Sequence, residues 1–262
     1  MYSFDYERPS GVSEAAAAIG EDDRFVAGGQ TLIPTLKLRL AEAGKLVDLG
    51  GIADLKGISA NGSEVSIGAM TRHADVATSA EVKSAIPALA HLASHIGDAQ
   101  VRNRGTIGGS IANNDPAADY PAALVGLGAT VHTNKRSISA EDFFVDLFET
   151  ALEDGEIVTK VSFPIPEKAG YAKFPNPASR FALTGVFVSK SANGVRVAVT
   201  GAGPCVFRQT AMEAALESNF SADAVSGIKT EASGLNADIH ASAEYRANLI
   251  SVMAARAVKA AS

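Results

Sequence analysis

The chain has 262 residues, of which 47% are hydrophobic and 20% charged, a balance that excludes disordered and fibrous classes and suits one large or two modest domains. Lys and Arg number 23 against 29 Asp and Glu, a net charge of −6, which speaks against binding nucleic acid or an anionic membrane through clustered positive charge. The single cysteine, Cys205, excludes a disulfide within the chain and any iron–sulfur cluster held by four of its own thiolates.

Residues 1–9 carry charges where a signal peptide would be apolar, and no stretch approaches the roughly 18–20 apolar residues of a membrane span, so a cytoplasmic protein is expected. Residues 24–26 read as a short strand. Residues 32–43 read as a helix, with Leu32, Leu36, Leu38 and Leu40 apolar and Gly44 as its stop, and 45–49 read as a second strand. Two strands joined through a helix predict a βαβ unit and a small parallel sheet. Residues 64–68 alternate like a half-buried strand. Helices are predicted over 72–79 and 84–97, the second with Ile86, Leu89, Ala90, Ala93 and Ile96 near one face. A further helix is expected over 116–127 with Pro116 in its first turn, and strands over 129–132 and 157–161. The proline-bearing segment Phe163-Pro164-Ile165-Pro166-Glu167-Lys168-Ala169-Gly170 marks the best boundary. Beyond it, strands over 181–190 and 195–200 flank the hairpin signal Asn193-Gly194, and helices over 208–217, 221–232 and 241–259 complete a smaller α+β part.

Two glycine-rich turns carry the chemistry. The first, Ala27-Gly28-Gly29-Gln30-Thr31-Leu32, joins the first strand to its helix. Consecutive glycines let backbone N–H groups close on an anion, with a helix N-terminus behind them. A tight strand–helix connection with no ligand fits the same residues. The second is Arg102-Asn103-Arg104-Gly105-Thr106-Ile107-Gly108-Gly109-Ser110-Ile111-Ala112-Asn113, followed by Asp115-Pro116-Ala117-Ala118-Asp119. A carboxylate beside such a turn binds sugar hydroxyls but repels phosphate, so the two turns together suggest a nucleotide. Asp115 taken by itself reads first as a turn or helix cap. Neither turn has the spacing of the dinucleotide or P-loop fingerprints. Ser110 only loosely fits a nucleophile elbow, whose last glycine is missing, and is read as a hydrogen-bonding loop residue. His91 and His95 share a helix face, but Leu92 stands where a zinc-binding helix would carry Glu, so they read as ordinary helix histidines. Cys205 reads as a small buried residue.

On these two turns, with Lys37-Leu38-Arg39, Tyr171-Ala172-Lys173-Phe174 and Ser242-Ala243-Glu244-Tyr245-Arg246, the sequence resembles the FAD-binding medium subunits of the molybdenum hydroxylases, nearest the carbon monoxide dehydrogenase group and more distantly the flavin domain of xanthine dehydrogenase. The likeness runs over nearly the whole chain. It implies a mixed α/β (α+β) architecture: a two-subdomain FAD-binding fold of the vanillyl-alcohol-oxidase (PCMH) type over residues 1–165, split near 50–60, then a smaller α+β domain over 170–262. It implies FAD held without a covalent bond. Ala27, Gly28, Gly29, Gln30, Thr31, Leu32 and Ile33 would wrap the pyrophosphate through backbone N–H groups, and Thr106, Gly108, Gly109, Ser110 and Ala112 would contact the same region. Asp119 falls at the position that hydrogen-bonds the polyol, with Asp115 beside it. Ile96 falls near the isoalloxazine, Ile157 or Val158 against adenine or flavin, and Tyr171 and Lys173 beside the ring. Asn114 departs from the small residue often found there. A bulky residue at Gly29 or Gly109 would then abolish FAD retention by filling the phosphate's space.

The resemblance implies no catalytic residue and no metal on this chain. It implies two partners, a small subunit with two [2Fe-2S] clusters and a large molybdopterin subunit, assembled as a dimer of heterotrimers. Electrons would pass from the clusters through FAD to an external acceptor. The cysteine count agrees, since the clusters must lie on another chain. Two other readings stay open. A stand-alone FAD enzyme would need a base over the ring, for which Tyr171 is the one candidate, and would turn substrate over by itself. A nucleotide-binding module would be colourless and bind ADP as tightly as FAD.

Overall fold

The computed structural model, which describes residues 1–261, begins with a small parallel sheet. In chain order come β1 (Asp5–Glu7), α1 (Val12–Ala18), β2 (Arg24–Val26), α2 (Leu32–Lys37) and β3 (Lys45–Asp48), with strand order β1-β3-β2. The expected βαβ unit is β2–α2–β3, and its strands pair in parallel from Arg24↔Leu46 to Val26↔Asp48. α2 stops at Lys37 rather than 43 because Arg39 takes a positive φ of 56°, while Leu38 and Leu40 are exposed and have no surface to pack against.

The second sheet opens with β4 (Ile58–Ala60) and β5 (Glu64–Gly68). A run of short helices follows: α3 (His73–Thr78), α4 (Ala80–Ala85), α5 (Pro87–Ser94), α6 (Ala99–Arg102), α7 (Ile107–Asn113) and α8 (Tyr120–Leu127). The helix expected over 84–97 starts at Pro87, whose ring forbids continuation from Ile86. The one expected from Pro116 starts at Tyr120, with Pro121 in its first turn. Residues 115–118 form a turn instead, in which the Ala117 N–H donates to the Asp115 carboxylate at 2.9 Å. The chain continues through β6 (Thr130–Thr133), β7 (Ser137–Ser139), α9 (Ala140–Phe143), a small hairpin of β8 (Phe144–Asp146) and β9 (Glu149–Thr150), and β10 (Val158–Pro164). The sheet order β4-β5-β10-β6-β7 puts β10 at the centre, with Val161 and Phe163 wholly buried. Leu89, Leu92, Ile107, Ile111 and Leu124 from the helices complete this core.

The last sheet, β11 (Lys168–Pro175), β12 (Ala182–Ser191), β13 (Gly194–Thr200) and β14 (Phe207–Arg208), is antiparallel throughout. β11 begins right after the proline segment, two residues earlier than the expected boundary allows. The Asn193-Gly194 hairpin forms as expected, with Ser191 opposite Gly194. Helices α10 (Thr210–Ser218), α11 (Ala222–Ser226) and α12 (Ala243–Ala260) pack on one face around Val186, Val197, Met212, Ile250 and Met253. α11 is far shorter than the expected 221–232. The other face meets α8, where Gly126 admits the Phe187 ring: a Cβ there would come within 2.8 Å of it. Among the described residues no helix is long and apolar enough to cross a membrane.

Candidate functional site

The two glycine turns meet. A Cβ on Gly28 would run into the Arg104 carbonyl oxygen and lie 2.7 Å from the Gly105 Cα, so glycine alone permits this approach. One on Gly109 would reach Thr106 Oγ1 at 3.0 Å and the Ala27 Cβ at 3.4 Å. Gly29 has a φ of +70°, and a Cβ there would lie 2.8 Å from Ile33 Cγ1. The cost of a side chain at these glycines therefore arises first against the protein itself, and Gly28 is the tightest of the three.

The turns differ in what they offer an anion. At the first, the backbone N–H groups of Gly28, Gly29, Gln30 and Thr31 have no hydrogen-bond acceptor among the described residues. At the second, Ile107 N–H donates to Thr71 O at 3.1 Å and Gly108 N–H to Ala69 O at 2.8 Å. Gly109 N–H donates to the Thr106 hydroxyl, which caps α7, at 3.1 Å. The first turn thus presents an open nest of donors, and the second supplies a closely packed backbone wall with the Ser110 side chain on it.

Between them lies a cleft of about 440 Å³. Ala27, Gly28, Gly29, Gln30, Thr31, Leu32, Ile96, Thr106, Gly108, Gly109, Ser110, Ala112, Asp115, Ile157 and Val158 all line it. So do residues the sequence did not flag: Phe25, Leu49, Met70, His73, Leu152, Glu156 and Phe181 among them. The apolar ones come from strand ends and loops that carry no motif. His73 was legible only as part of a helix. Glu156 is pinned: burial works against its charge, but Arg136, the Glu153 N–H and the Thr133 hydroxyl hold its carboxyl down at about 2. Burial pushes the Asp115 carboxyl up, partly offset by the Ala117 N–H.

Four expected residues do not line the cleft. Ile33 sits behind the first turn, its N–H donating to Gly29 O at 3.1 Å. Asp119, Tyr171 and Lys173 are a correction of a different kind, because they bind one another. The Tyr171 hydroxyl donates to Asp119 Oδ1 at 2.5 Å, and the Lys173 ammonium lies 2.9 Å from the same oxygen. Lys173 also donates to the carbonyls of His95 and Arg180. The Asp119 side chain is 3% exposed and both its oxygens are engaged within this cluster. Burial pushes its carboxyl up, against the pull of Lys173 and Tyr171. Asn114, in a left-handed conformation at the end of α7, points away, its amide donating to the carbonyls of Asp146 and Glu149 at 2.8 and 2.7 Å and so holding the β8–β9 hairpin.

An open N–H nest on a largely apolar cleft is an arrangement suited to an anionic group joined to an apolar one. Residues 2–166 match the family described as the FAD binding domain in molybdopterin dehydrogenase. The chain is 34% identical to the carbon monoxide dehydrogenase medium chain of Hydrogenophaga pseudoflava, over 98% of this chain and 96% of that one. It is also 34% identical to the nicotine 6-hydroxylase medium subunit of Paenarthrobacter nicotinovorans, over 97% and 95%. The crystal structure of quinoline 2-oxidoreductase from Pseudomonas putida 86 superposes with a TM-score of 0.88 at 31% identity, covering 99% of this chain and 97% of that one. The chain belongs to this family of FAD-binding oxidoreductase subunits.

Proposed function

We propose that this chain is the flavoprotein subunit of a cytoplasmic molybdenum hydroxylase complex. It takes electrons from the [2Fe-2S] clusters of a small subunit, fed in turn by a large molybdopterin subunit, and passes them through FAD to an external acceptor. The assembly proposed is a dimer of heterotrimers. The observation that carries this reading is the convergence of the two turns, with the free N–H groups of Gly28, Gly29, Gln30 and Thr31 at one end of an apolar cleft.

The residues fit the cofactor. The N–H nest and Ser110 would hold the diphosphate, Asp115 the polyol, and Ile96, Ile157 and Val158 the ring. Bound FAD supplies the ability to collect electrons singly and release them in pairs. The chain's part is to bind, orient and keep water from the ring. Asp119, Tyr171 and Lys173 serve this seat from behind the wall, by fixing α5, α8 and β11 to one another. The cofactor domain is assigned to residues 1–165, divided near 50–60, and the second domain to 170–262. This agrees with the extent of the family match and with the change of sheet between β10 and β11. The relatives named for carbon monoxide and for nicotine are similar to this chain to the same degree, which supports substrate choice residing on another subunit. With the purified subunits combined anaerobically, substrate should bleach the flavin absorbance only when the small subunit is present. Bleaching by substrate without it would contradict the relay.

A further inference from the structure

His73 is the first residue of α3 and lines the cleft, although its side chain belongs to the interior, with only 4% of the residue exposed. Its ring is wedged between two neighbours. On one side a Cβ on Gly105 would come within 2.5 Å of Nε2, so the ring edge rests directly on the second turn. On the other lies the Tyr120 ring, with centroids 5.4 Å apart. The main chain ties the same parts together, the His73 N–H donating to Gly105 O at 3.0 Å.

Packing explains the volume of this side chain but not its polarity. Nδ1 is buried with no hydrogen-bond partner, as is the Tyr120 hydroxyl. The contrast with His132 is plain, since both of its ring nitrogens meet serine hydroxyls at 2.9 and 3.0 Å. A buried polar atom left unpaired is a standing cost that native proteins seldom carry without reason, and a phenyl ring would fill the wedge without it. Burial, and next the Arg102 charge, push the imidazole down to about 4, so near neutrality it is uncharged, with one N–H donor and one acceptor nitrogen. Of the two nitrogens, Nε2 is the one at the Gly105 turn, which is itself a wall of the cleft.

We propose that His73 is a cofactor-binding residue whose Nε2 hydrogen-bonds a polar group of the flavin nucleotide beside the Gly105–Thr106 turn. The proposal rests on the FAD reading and adds to it a contact that neither glycine turn supplies. It is tested on the full chain by titration with FAD, followed through quenching of flavin fluorescence and through the ring-nitrogen NMR signals of histidine-labelled protein. The Nε2 signal of His73 should move on saturation with FAD. His73→Phe, which keeps the wedge, should bind FAD about tenfold more weakly. His73→Gln, whose amide nitrogen reaches as far as Nε2, should stay within about threefold of the parent, and His73→Asn should not. Wild-type binding with an unmoved Nε2 signal, or a folded His73→Phe chain that binds FAD as tightly as the parent, overturns this contact alone. A wild-type chain that takes up no FAD overturns both this contact and the flavin reading. Should His73→Phe fail to fold, the wild-type NMR titration still decides.

Discussion

At Gly28 the two turns leave no room for a methyl group, and the obstacle is backbone, which cannot rotate aside. Gly28→Ala must therefore push the turns apart. At an overpacking cost of about 1–3 kcal/mol, FAD affinity should fall by about tenfold or more. Gly109→Ala meets a hydroxyl and a methyl group at ordinary or slightly tight distances and should do less. Equal losses in a fluorescence titration of the two variants would show that the approach of the turns does not set affinity. His73 makes a second prediction, about pH. Its pKa falls from 6.5 to about 4 on folding, so across that window the unfolded chain binds a proton that the folded chain does not. Its contribution to stability is complete above about 6.5 and is lost as pH falls toward 4, about 3 kcal/mol in all. Urea melts at intervals over this range should show wild type losing more stability than His73→Gln, and parallel losses would contradict it. The glycine pairs were legible because few residues other than glycine tolerate such backbone approach. His73 was not, because a lone histidine opening a helix carries no spacing to read. The fate of Asp119 was hidden too, since its partners Tyr171 and Lys173 lie more than fifty residues away in the chain.

Elements are joined through that buried cluster. Lys173 on β11 reaches the Asp119 carboxylate at the head of α8, the His95 carbonyl just past α5 and the Arg180 carbonyl before β12. Lys173→Met would leave Asp119 buried and uncompensated, at a cost of about 3–5 kcal/mol. Adding Asp119→Asn to it should restore much of the loss, read as the midpoint of denaturant unfolding. Additive losses in that double-mutant cycle would show that the pair is not coupled. The same scale shows what the sequence withheld. The strands of the βαβ unit and the β12–β13 hairpin follow from local apolar runs and an Asn-Gly turn. α2 and α8 were expected too long because apolar spacing continues through Leu38, Leu40 and Pro116, where the backbone turns instead. β11 was obscured by the prolines just before it, which end β10 but do not prevent a new strand two residues later.

For the molecule as a whole, the order of elements was legible and the sheets were not. β10 pairs with β5 and β6 across long stretches of chain, and no local pattern announces that Val161 stands between Ile67 and Val131. Yet this pairing brings Ile157 and Val158 to the cleft opposite the first glycine turn. The three larger sheets thus surround one cleft: the parallel sheet leads into the donors, the central sheet and its helices form the wall, and the segment before β12 puts Phe181 at the cleft while β11 puts Lys173 behind the wall. The most direct test compares the binding of FAD and of riboflavin, which lacks the diphosphate, to the wild-type chain by calorimetry. Charge-assisted bonds from several free N–H groups should make FAD bind more than about a hundredfold more tightly. Riboflavin bound as tightly as FAD would contradict a diphosphate seat between the two turns.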